Sequence, residues 1–574
     1  MNSPPPKLKS TPFNARPNSP PHAGGIEDVG TTFNPLCSPL LTDLYQLTMC
    51  YAYWKANRHL QPSTFELFFR KNPFKGEFTI FAGLTEVIAF IRNWSLTRKD
   101  IDFLESTQAL GAHVDSNFFK WLSKLNTDDV KIYAVKEGTV IFPKEPLIRI
   151  EGPLAICQLL ETTIVNLTNY ASLITTNAAR MRNAAGEKKV LLEFGLRRAQ
   201  GPDGAISASR YSFMGGFDGT SNVLASQMFG IPCRGTNAHS YICSFTSLKD
   251  VTSSILIKNN NNNDDNNDKN DDDDRDINNQ QFIDSILKRR KEMNWENTNE
   301  GELAAFISYA RGFPNGFLCL VDTYDTLSCG MKNFLLVAHA LYDLGYTPKG
   351  IRLDSGDLAY LSIECRKMIK TYSEKYNIPS FEKLMIVASN DINEDVLTAI
   401  EEQGHEINAY GIGTNLVTCQ KQPSLGMVYK LVEINNEPRI KLSNETVKMT
   451  IPGKKQIYRL YSKNGYPLVD LMTMINEDPP VAGKKILCCH PFFEKKRVYV
   501  TPSKVESLLE NCTITSAAKS LLELKQHVKK SLSSIRPDHL RTLNPTPYKV
   551  SVSMNLYTYI HELLNKELPI PELS

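Results

Sequence analysis

The chain has 574 residues, of which 41% are hydrophobic and 22% charged, with a formal net charge of +3. It is too long for one ordinary domain and has the composition of a soluble globular protein. No apolar run approaches the roughly 20 residues of a membrane span, and the charge is too small for a nucleic-acid platform, though it suits small anionic ligands. Twelve cysteines lie scattered without C-x-x-C spacing behind an N-terminus with no apolar signal segment, so a reducing, cytosolic setting is expected rather than a disulfide framework.

Residues 1–35 are rich in Pro, Ser and Asn and are expected to form a disordered tail. The prolines also oppose the amphipathic helix of a transit peptide. From 36 to 190 the pattern is that of an α/β unit. "LTDLYQLTMCYAYWKA" has a capping Thr or Asp before helical apolar spacing, "TFELFFRKNP" and "GTVIFPKEPLIRIEGP" alternate as strands, and "LAICQLLETTIVNLTNYASLITTNAARM" predicts a long helix.

Between 191 and 430 one theme recurs. "VLLEFGLRR", "LCLVDTYDT", "IRLDSGDL", "LMIVASND" and "INAYGIGTN" are apolar runs ending in polar clusters, separated by helical stretches such as "GMKNFLLVAHALYDLG" and "NEDVLTAIEEQG". Strands alternating with helices predict a β/α barrel whose strand ends carry the chemistry. The Asn/Asp-rich tract at about 256–282 is expected to be a disordered surface insertion: between Asn259 and Gln281 it holds eight aspartates against one lysine and one arginine, with too little apolar area to offset ordering. Residues 431–574 carry the strands "MVYKLVEI" and "QIYRLYS" and expected helices "SKVESLLENC" and "AAKSLLELKQHVKKSL", and should complete the first unit and cover the barrel.

Several constellations carry chemistry. "YGIGTNL" places Gly413 and Thr414 after a strand, where freed backbone N–H groups suit a phosphate or make a plain tight turn. Arg197 and Arg198 beside Phe194, with Arg352 at a second strand end, favour an anionic ligand with a flat ring. "RGTNAHS" supplies Thr236 and His239, the latter a structural hydrogen-bonder or a nucleophile for a phosphoryl group. Asp354 and Asp357 could serve a glycosidase, but acids on one short turn fit poorly the separation such enzymes need. "CCHP" is expected to hold ordinary buried thiols.

Together "LTDLYQLTM", "FELFFRKNPFKGEFTIFAGL", "EFGLRRAQGPDGA", "GGFDGTSNVLA", "GTNAHS", "VDTYDT", "IRLDSGDLA", "ASNDINE" and "YGIGTNLVT" resemble the nicotinate phosphoribosyltransferase family. The resemblance implies an irregular β/α barrel packed with an α/β sandwich domain, the type II phosphoribosyltransferase architecture. It implies an enzyme joining nicotinate to 5-phosphoribosyl 1-pyrophosphate, giving nicotinate mononucleotide and pyrophosphate, coupled to ATP hydrolysis through a phosphohistidine. It also implies Mg²⁺ or Mn²⁺ and a homodimer with shared sites. By the same resemblance the nicotinate ring lies between Phe194 and Tyr45 of the partner subunit, near Arg197, Thr236 and Arg352, and Gly413 and Thr414 take the phosphate of the sugar substrate. Asp354 and Asp322 lie near the ribose and the metal-bound pyrophosphate, and His239 is phosphorylated. Ser221 stands where nicotinamide-using relatives carry an Asp, which would repel nicotinate, so the acid is favoured over the amide. The remaining alternatives are a nicotinamide-using enzyme and a non-catalytic metabolite-binding relative.

Overall fold

The computed structural model describes residues 34–251 except 112, residues 272–512 except 444, 446 and 447, and residues 519–567. The expected disordered tail lies outside the described residues but for its last two positions, and so does the first part of the Asn/Asp-rich tract. The remainder of that tract departs from expectation, because Asp272–Glu292 is a helix. Its anchors are Phe282 and Ile286, four residues apart and buried at 1% and 0% exposure, which put one apolar stripe against the helix Met331–Asp343. Arg289 also pairs with Asp343 there. Burial of that stripe extends helical order into a polar segment whose composition alone predicts a loop.

Three six-stranded sheets organise the described residues. The first is antiparallel, in the order Glu437–Pro438, Met427–Ile434, Pro62–Phe69, Ile148–Pro153, Lys131–Ala134, Glu510–Asn511. Pro62–Phe69 lies at its centre with seven of eight residues buried. The second is parallel, in the order Gly219–Thr220, Val190–Glu193, Ala409–Ile412, Met385–Ser389, Gly350–Leu353, Leu318–Leu320. All five apolar runs read from the sequence are strands of this sheet, which with its covering helices forms the irregular barrel. The third sheet is formed by the C-terminal region, with Pro467–Met474 and Lys455–Tyr461 at its core.

The barrel's two edge strands are joined by an irregular segment rather than by a regular strand. Thr220 bridges Cys233, and Arg234 N–H donates to the Thr220 carbonyl at 2.9 Å. At the other edge Leu320 N–H donates to Asn237 Oδ1 at 3.3 Å. Residues 232–237 therefore span the gap and carry Thr236 and His239 to the mouth.

Close approach is strict at Gly350, the first residue of its strand. Its φ is +149°, and a Cβ there would sit 2.0 Å from the Met385 carbonyl oxygen, so glycine permits the pairing that aligns Arg352 with Val387.

The predicted long helix forms as Leu154–Leu159 followed by Glu161–Ala185. The second is lined with small polar residues because each is satisfied. Thr176 Oγ1 accepts from Ile80 N at 2.9 Å, Ser172 Oγ from Ala82 N at 3.0 Å, and Asn177 Nδ2 donates to the Asn415 and Leu416 carbonyls. One helix thereby ties the first sheet's unit to the turn that carries Gly413 and Thr414.

Two local expectations change. Asp43 occupies the cap position of Leu44–Lys55, but its carboxylate accepts from Thr162 Oγ1 instead of capping the helix. "SKVESLLENC" forms the strands Lys504–Ser507 and Glu510–Asn511 rather than a helix. Unpaired edges of two different sheets take up its backbone, and Leu508 and Leu509 are buried between them. Leu521–Ser534 is a helix as expected, opened by the capping box Ser520 and Glu523. It spans the barrel and the first unit, with Lys525 donating to the Phe217 carbonyl and Ser531 Oγ accepting from Val140 N.

Candidate active site

The polar ends of the parallel strands meet at one mouth. Arg352 is its hub. Nε donates to Ser389 Oγ at 2.7 Å, one terminal nitrogen to Thr236 Oγ1 at 3.0 Å and the other to Asp354 Oδ1 at 3.0 Å. The guanidinium carbon also stands 5.3 Å from the centre of the Phe194 ring. Arg352 and Asp354 of "IRLDSGDL" are thus satisfied partly by one another and partly by Ser389 at the next strand end, Thr236 and the Phe194 ring.

Asp354 also accepts from the Ser389 hydroxyl. Burial pushes its carboxyl up, but the Ser389 hydrogen bond, the Arg352 guanidinium and His239 outweigh that and hold it below the usual carboxylate range. Asp322 Oδ2 accepts from Asp354 N–H at 2.8 Å and from Ser355 Oγ at 2.6 Å. Its Oδ1 is buried without a hydrogen-bond partner among the described residues and lies 3.9 Å from His239 Nε2. Asp354 Oδ2 is 3.5 Å from the same nitrogen. On the other side of the ring, Nδ1 contacts Thr323 Oγ1 at 3.1 Å. The His239 side chain is 41% exposed, so the ring is held yet reachable.

Phe194 packs against the next strand, where a Cβ on Gly411 would come within 2.4 Å of its ring. Arg197 is exposed on the turn that follows, and Arg198 donates to Thr414 Oγ1 at 3.0 Å. Gly413 occupies the cap position of the short helix Thr414–Thr418. Ser221 donates its N–H to the Glu193 carbonyl at 3.0 Å and its hydroxyl to the same oxygen at 3.3 Å.

Phe194, Arg197, Ser221, Asp322, Arg352, Asp354, Gly413 and Thr414 therefore sit at or just past strand ends of one barrel, and Thr236 and His239 reach the same mouth from the segment that spans its edges. Tyr45 does not join them within one chain. It is 48% exposed on the helix Leu44–Lys55, beside Glu161, Gln46, Asp43 and Thr162. Asp357, the other half of the glycosidase pair, caps the helix Leu358–Tyr376 by accepting from Tyr360 N–H at 3.0 Å, which removes that reading. Ser389, Thr323 and Glu193 were missed by the sequence reading. Each is an uncharged or ordinary-looking residue at or beside a strand end, and "VASND" offered the signal for Ser389. Cys488 and Cys489 are buried thiols, the former pushed up to about 12 by burial.

A β/α barrel whose mouth carries arginines, paired strand-end carboxylates, a reachable histidine and a glycine turn, backed by an antiparallel sheet unit, defines a phosphoribosyltransferase of the barrel-containing class. Models of the nicotinate phosphoribosyltransferase N-terminal domain, family and C-terminal domain match residues 40–169, 318–467 and 454–560. Nicotinate phosphoribosyltransferase 1 of Arabidopsis thaliana is 52% identical over 548 residues, 94% of this chain and 96% of that one. Nicotinate phosphoribosyltransferase of Homo sapiens is 41% identical over 535 residues, 92% of this chain and 97% of its own. The crystal structure of human nicotinic acid phosphoribosyltransferase superposes with a TM-score of 0.79 at 38% identity, covering 91% of this chain and 99% of that chain. The chain belongs to the nicotinate phosphoribosyltransferase family and is an enzyme of NAD synthesis from nicotinic acid. Among the described residues no helix is long and apolar enough to cross a membrane.

Proposed function

We propose that the barrel mouth joins nicotinate to 5-phosphoribosyl 1-pyrophosphate, releasing nicotinate mononucleotide and pyrophosphate, with ATP hydrolysis coupled through phosphorylation of His239. The observation that carries this reading is the Arg352 junction, where a guanidinium fixed by Thr236, Ser389 and Asp354 stands over the face of Phe194. A flat ring bearing a carboxylate is the ligand that uses both an aromatic face and a cation. Arg197 adds a second cation, and Ser221 in place of a carboxylate leaves the acid unrepelled.

Displacement of pyrophosphate from the anomeric carbon develops positive charge on the ribose. Catalysis then rests on alignment of the pyridine nitrogen and neutralisation of the leaving group, and no general base is required. Gly413 and Thr414, with Arg198 beside them, are assigned to the sugar 5-phosphate, and Asp354 and Asp322 to the ribose and pyrophosphate side. Among the described residues no group of three or more Asp, Glu, His or Cys could hold a metal alone. The orphaned Asp322 Oδ1 and the outer oxygen of Asp354 nevertheless fit Mg²⁺ or Mn²⁺, since such ions are held by one or two carboxylates together with substrate phosphates. The ion would offset the charge of the departing pyrophosphate.

For the coupled step, Asp354 and Asp322 face His239 Nε2 and suit a proton there, and the Nδ1 lone pair, once the Thr323 hydroxyl turns away from it, attacks the γ-phosphorus of ATP as ADP departs. Phosphorylation adds nearly two negative charges beside the pyrophosphate subsite. A tenfold change in affinity is about 1.4 kcal/mol, well within what ATP hydrolysis supplies. The exposed Tyr45, with Leu44 and Leu41 exposed beside it, supports a homodimer in which Tyr45 of the partner subunit covers the nicotinate ring. Twelve free cysteines support a reducing compartment, the cytosol.

The test is a mass-spectrometric end-point assay with phosphoribosyl pyrophosphate and Mg²⁺, offering nicotinate or nicotinamide, each with and without ATP. Nicotinate mononucleotide that rises with ATP, together with phosphate on His239, is the expected result. Product from nicotinamide alone overturns the acid reading, and no product from either substrate indicates a non-catalytic relative.

A further inference from the structure

Beneath the mouth lies a carboxylate with no part in the scheme above. Glu193 ends the strand Val190–Glu193 and is 1% exposed. One carboxylate oxygen accepts from Gly195 N–H, and the other accepts from Ser209 Oγ at 2.8 Å and Thr220 Oγ1 at 2.5 Å. These partners are all neutral. A buried carboxylate held by neutral donors among the described residues is expensive, so its presence under the site calls for a role.

The direction of the hydrogen bonds supplies one. Asn222 Nδ2 donates to Ser209 Oγ at 3.1 Å, and Asn222 N–H donates to Thr220 Oγ1 at 2.9 Å. Both hydroxyls accept from Asn222; Thr220 passes its hydrogen to Glu193, while the single Ser209 hydrogen is shared between Glu193 and the Ala205 carbonyl at 3.0 Å. With the Gly195 N–H, three donors converge on this side chain, and an ionised carboxylate receives them all without presenting a hydrogen of its own. An amide in either orientation would aim an N–H group at the Gly195 N–H or at the Thr220 hydroxyl, which are themselves donating.

What this network fixes lies on either side of it. The Gly195 bond sets the turn directly after Phe194. The Glu193 carbonyl accepts both the N–H and the hydroxyl of Ser221, while the Thr220 and Asn222 bonds lock the residues flanking Ser221. Asn222 in turn caps the helix Val223–Phe229 by accepting from Ala225 N–H at 3.2 Å.

We infer that Glu193 is a positioning residue for nicotinate, holding the Phe194 face and the Ser221 turn in mutual register and so setting both nicotinate affinity and the preference for acid over amide. The inference rests on the functional reading given above. It acts through Phe194 and Ser221, without contact to substrate.

Steady-state kinetics of the full chain test it, comparing wild type with Glu193→Gln and Thr220→Val. The expected result for Glu193→Gln is a KM for nicotinate raised ~10-fold or more, a KM for phosphoribosyl pyrophosphate within ~2-fold of wild type, and a nicotinate-to-nicotinamide ratio of kcat/KM lowered ~10-fold. Thr220→Val, which removes one donor and breaks the link to Asn222, moves the same quantities in the same direction by a smaller factor. Should Glu193→Gln fail to fold, Thr220→Val and Ser209→Ala decide the matter by the same readout. A proportional rise in both KM values, unchanged KM values, or a lower melting temperature with unchanged selectivity overturns the inference. If wild type makes no nicotinate mononucleotide, the functional reading fails first. If wild type is active and the variants keep its nicotinate KM and selectivity, the inference alone fails.

Discussion

Two charged clusters of this chain differ in how completely they close upon themselves. In the C-terminal sheet, Arg459 grips Asp470 with Nε at 2.9 and 3.2 Å and a terminal nitrogen at 2.6 Å, and Tyr548 completes the carboxylate at 2.9 Å. The side chains are 2% and 0% exposed. At the barrel mouth, Arg352, Asp354, Asp322 and His239 also lie within bonding or ion-pair range, but among the described residues Asp322 Oδ1 has no hydrogen-bond partner, and His239 is open to solvent. The Arg459–Asp470 pair, with Glu145 beside it, is sealed from solvent and holds the fold, whereas the mouth keeps bonding capacity that a ligand can reach.

The contrast is broken or sharpened by exchanging the roles. Asp470→Ala takes the main carboxylate from the Arg459 guanidinium in the core, leaving the buried Glu145 beside it, and should lower unfolding free energy by ~3 kcal/mol, seen as a fall in the urea midpoint, with kcat per folded molecule unchanged. Equal stability in that variant would mean that the closed pair is dispensable. Arg352→Ala should behave in the opposite way. Its kcat/KM for nicotinate falls ~100-fold or more, about 2.7 kcal/mol, while the urea midpoint changes little. Ser389→Ala removes the hydroxyl shared by Arg352 and Asp354 and should reduce kcat/KM ~10-fold, about 1.4 kcal/mol. Retained activity there would show that Arg352 orients itself without Ser389.

Acid titration reads the open cluster separately. Because the Asp354 carboxyl is held below the usual carboxylate range, its contribution to stability is fully present above its unfolded value and is lost as pH falls through the lower folded value. The stability difference between wild type and Asp354→Asn should therefore be constant near neutrality and shrink below about pH 3.9. A difference that grows on acidification would contradict the sign. The smallest effect is expected from removing Asn259–Asn270, a polar stretch that stops short of the helix Asp272–Glu292, where kcat/KM should stay within ~2-fold of the full chain.

The mouth was more legible in the sequence than the frame that supports it. Arg352 and Asp354 stood out because charges beside Ile351 and Leu353, both buried at 0% exposure, demand partners. Ser389 and Glu193 did not, since a serine after an apolar run reads as a turn and a glutamate in "LLEFG" reads as a strand end facing water. Their importance comes from strands that meet only in the folded barrel. Helical order from Asp272 and strands in "SKVESLLENC" were hidden for the same reason, because each depends on a surface supplied by distant chain.

By itself the sequence determined the alternation of strands and helices, the polar strand ends and the family they resemble, since these are local patterns of side-chain size and charge. Only the tertiary structure decided that residues 232–237 span the barrel edges, that Ser389 joins Arg352 to Asp354, that Asp357 is a helix cap, and that Glu193 gathers three donors beneath the mouth. Hydrogen-bond partnership is a relation between atoms far apart in the chain, and no local pattern encodes which of several suitable donors will arrive.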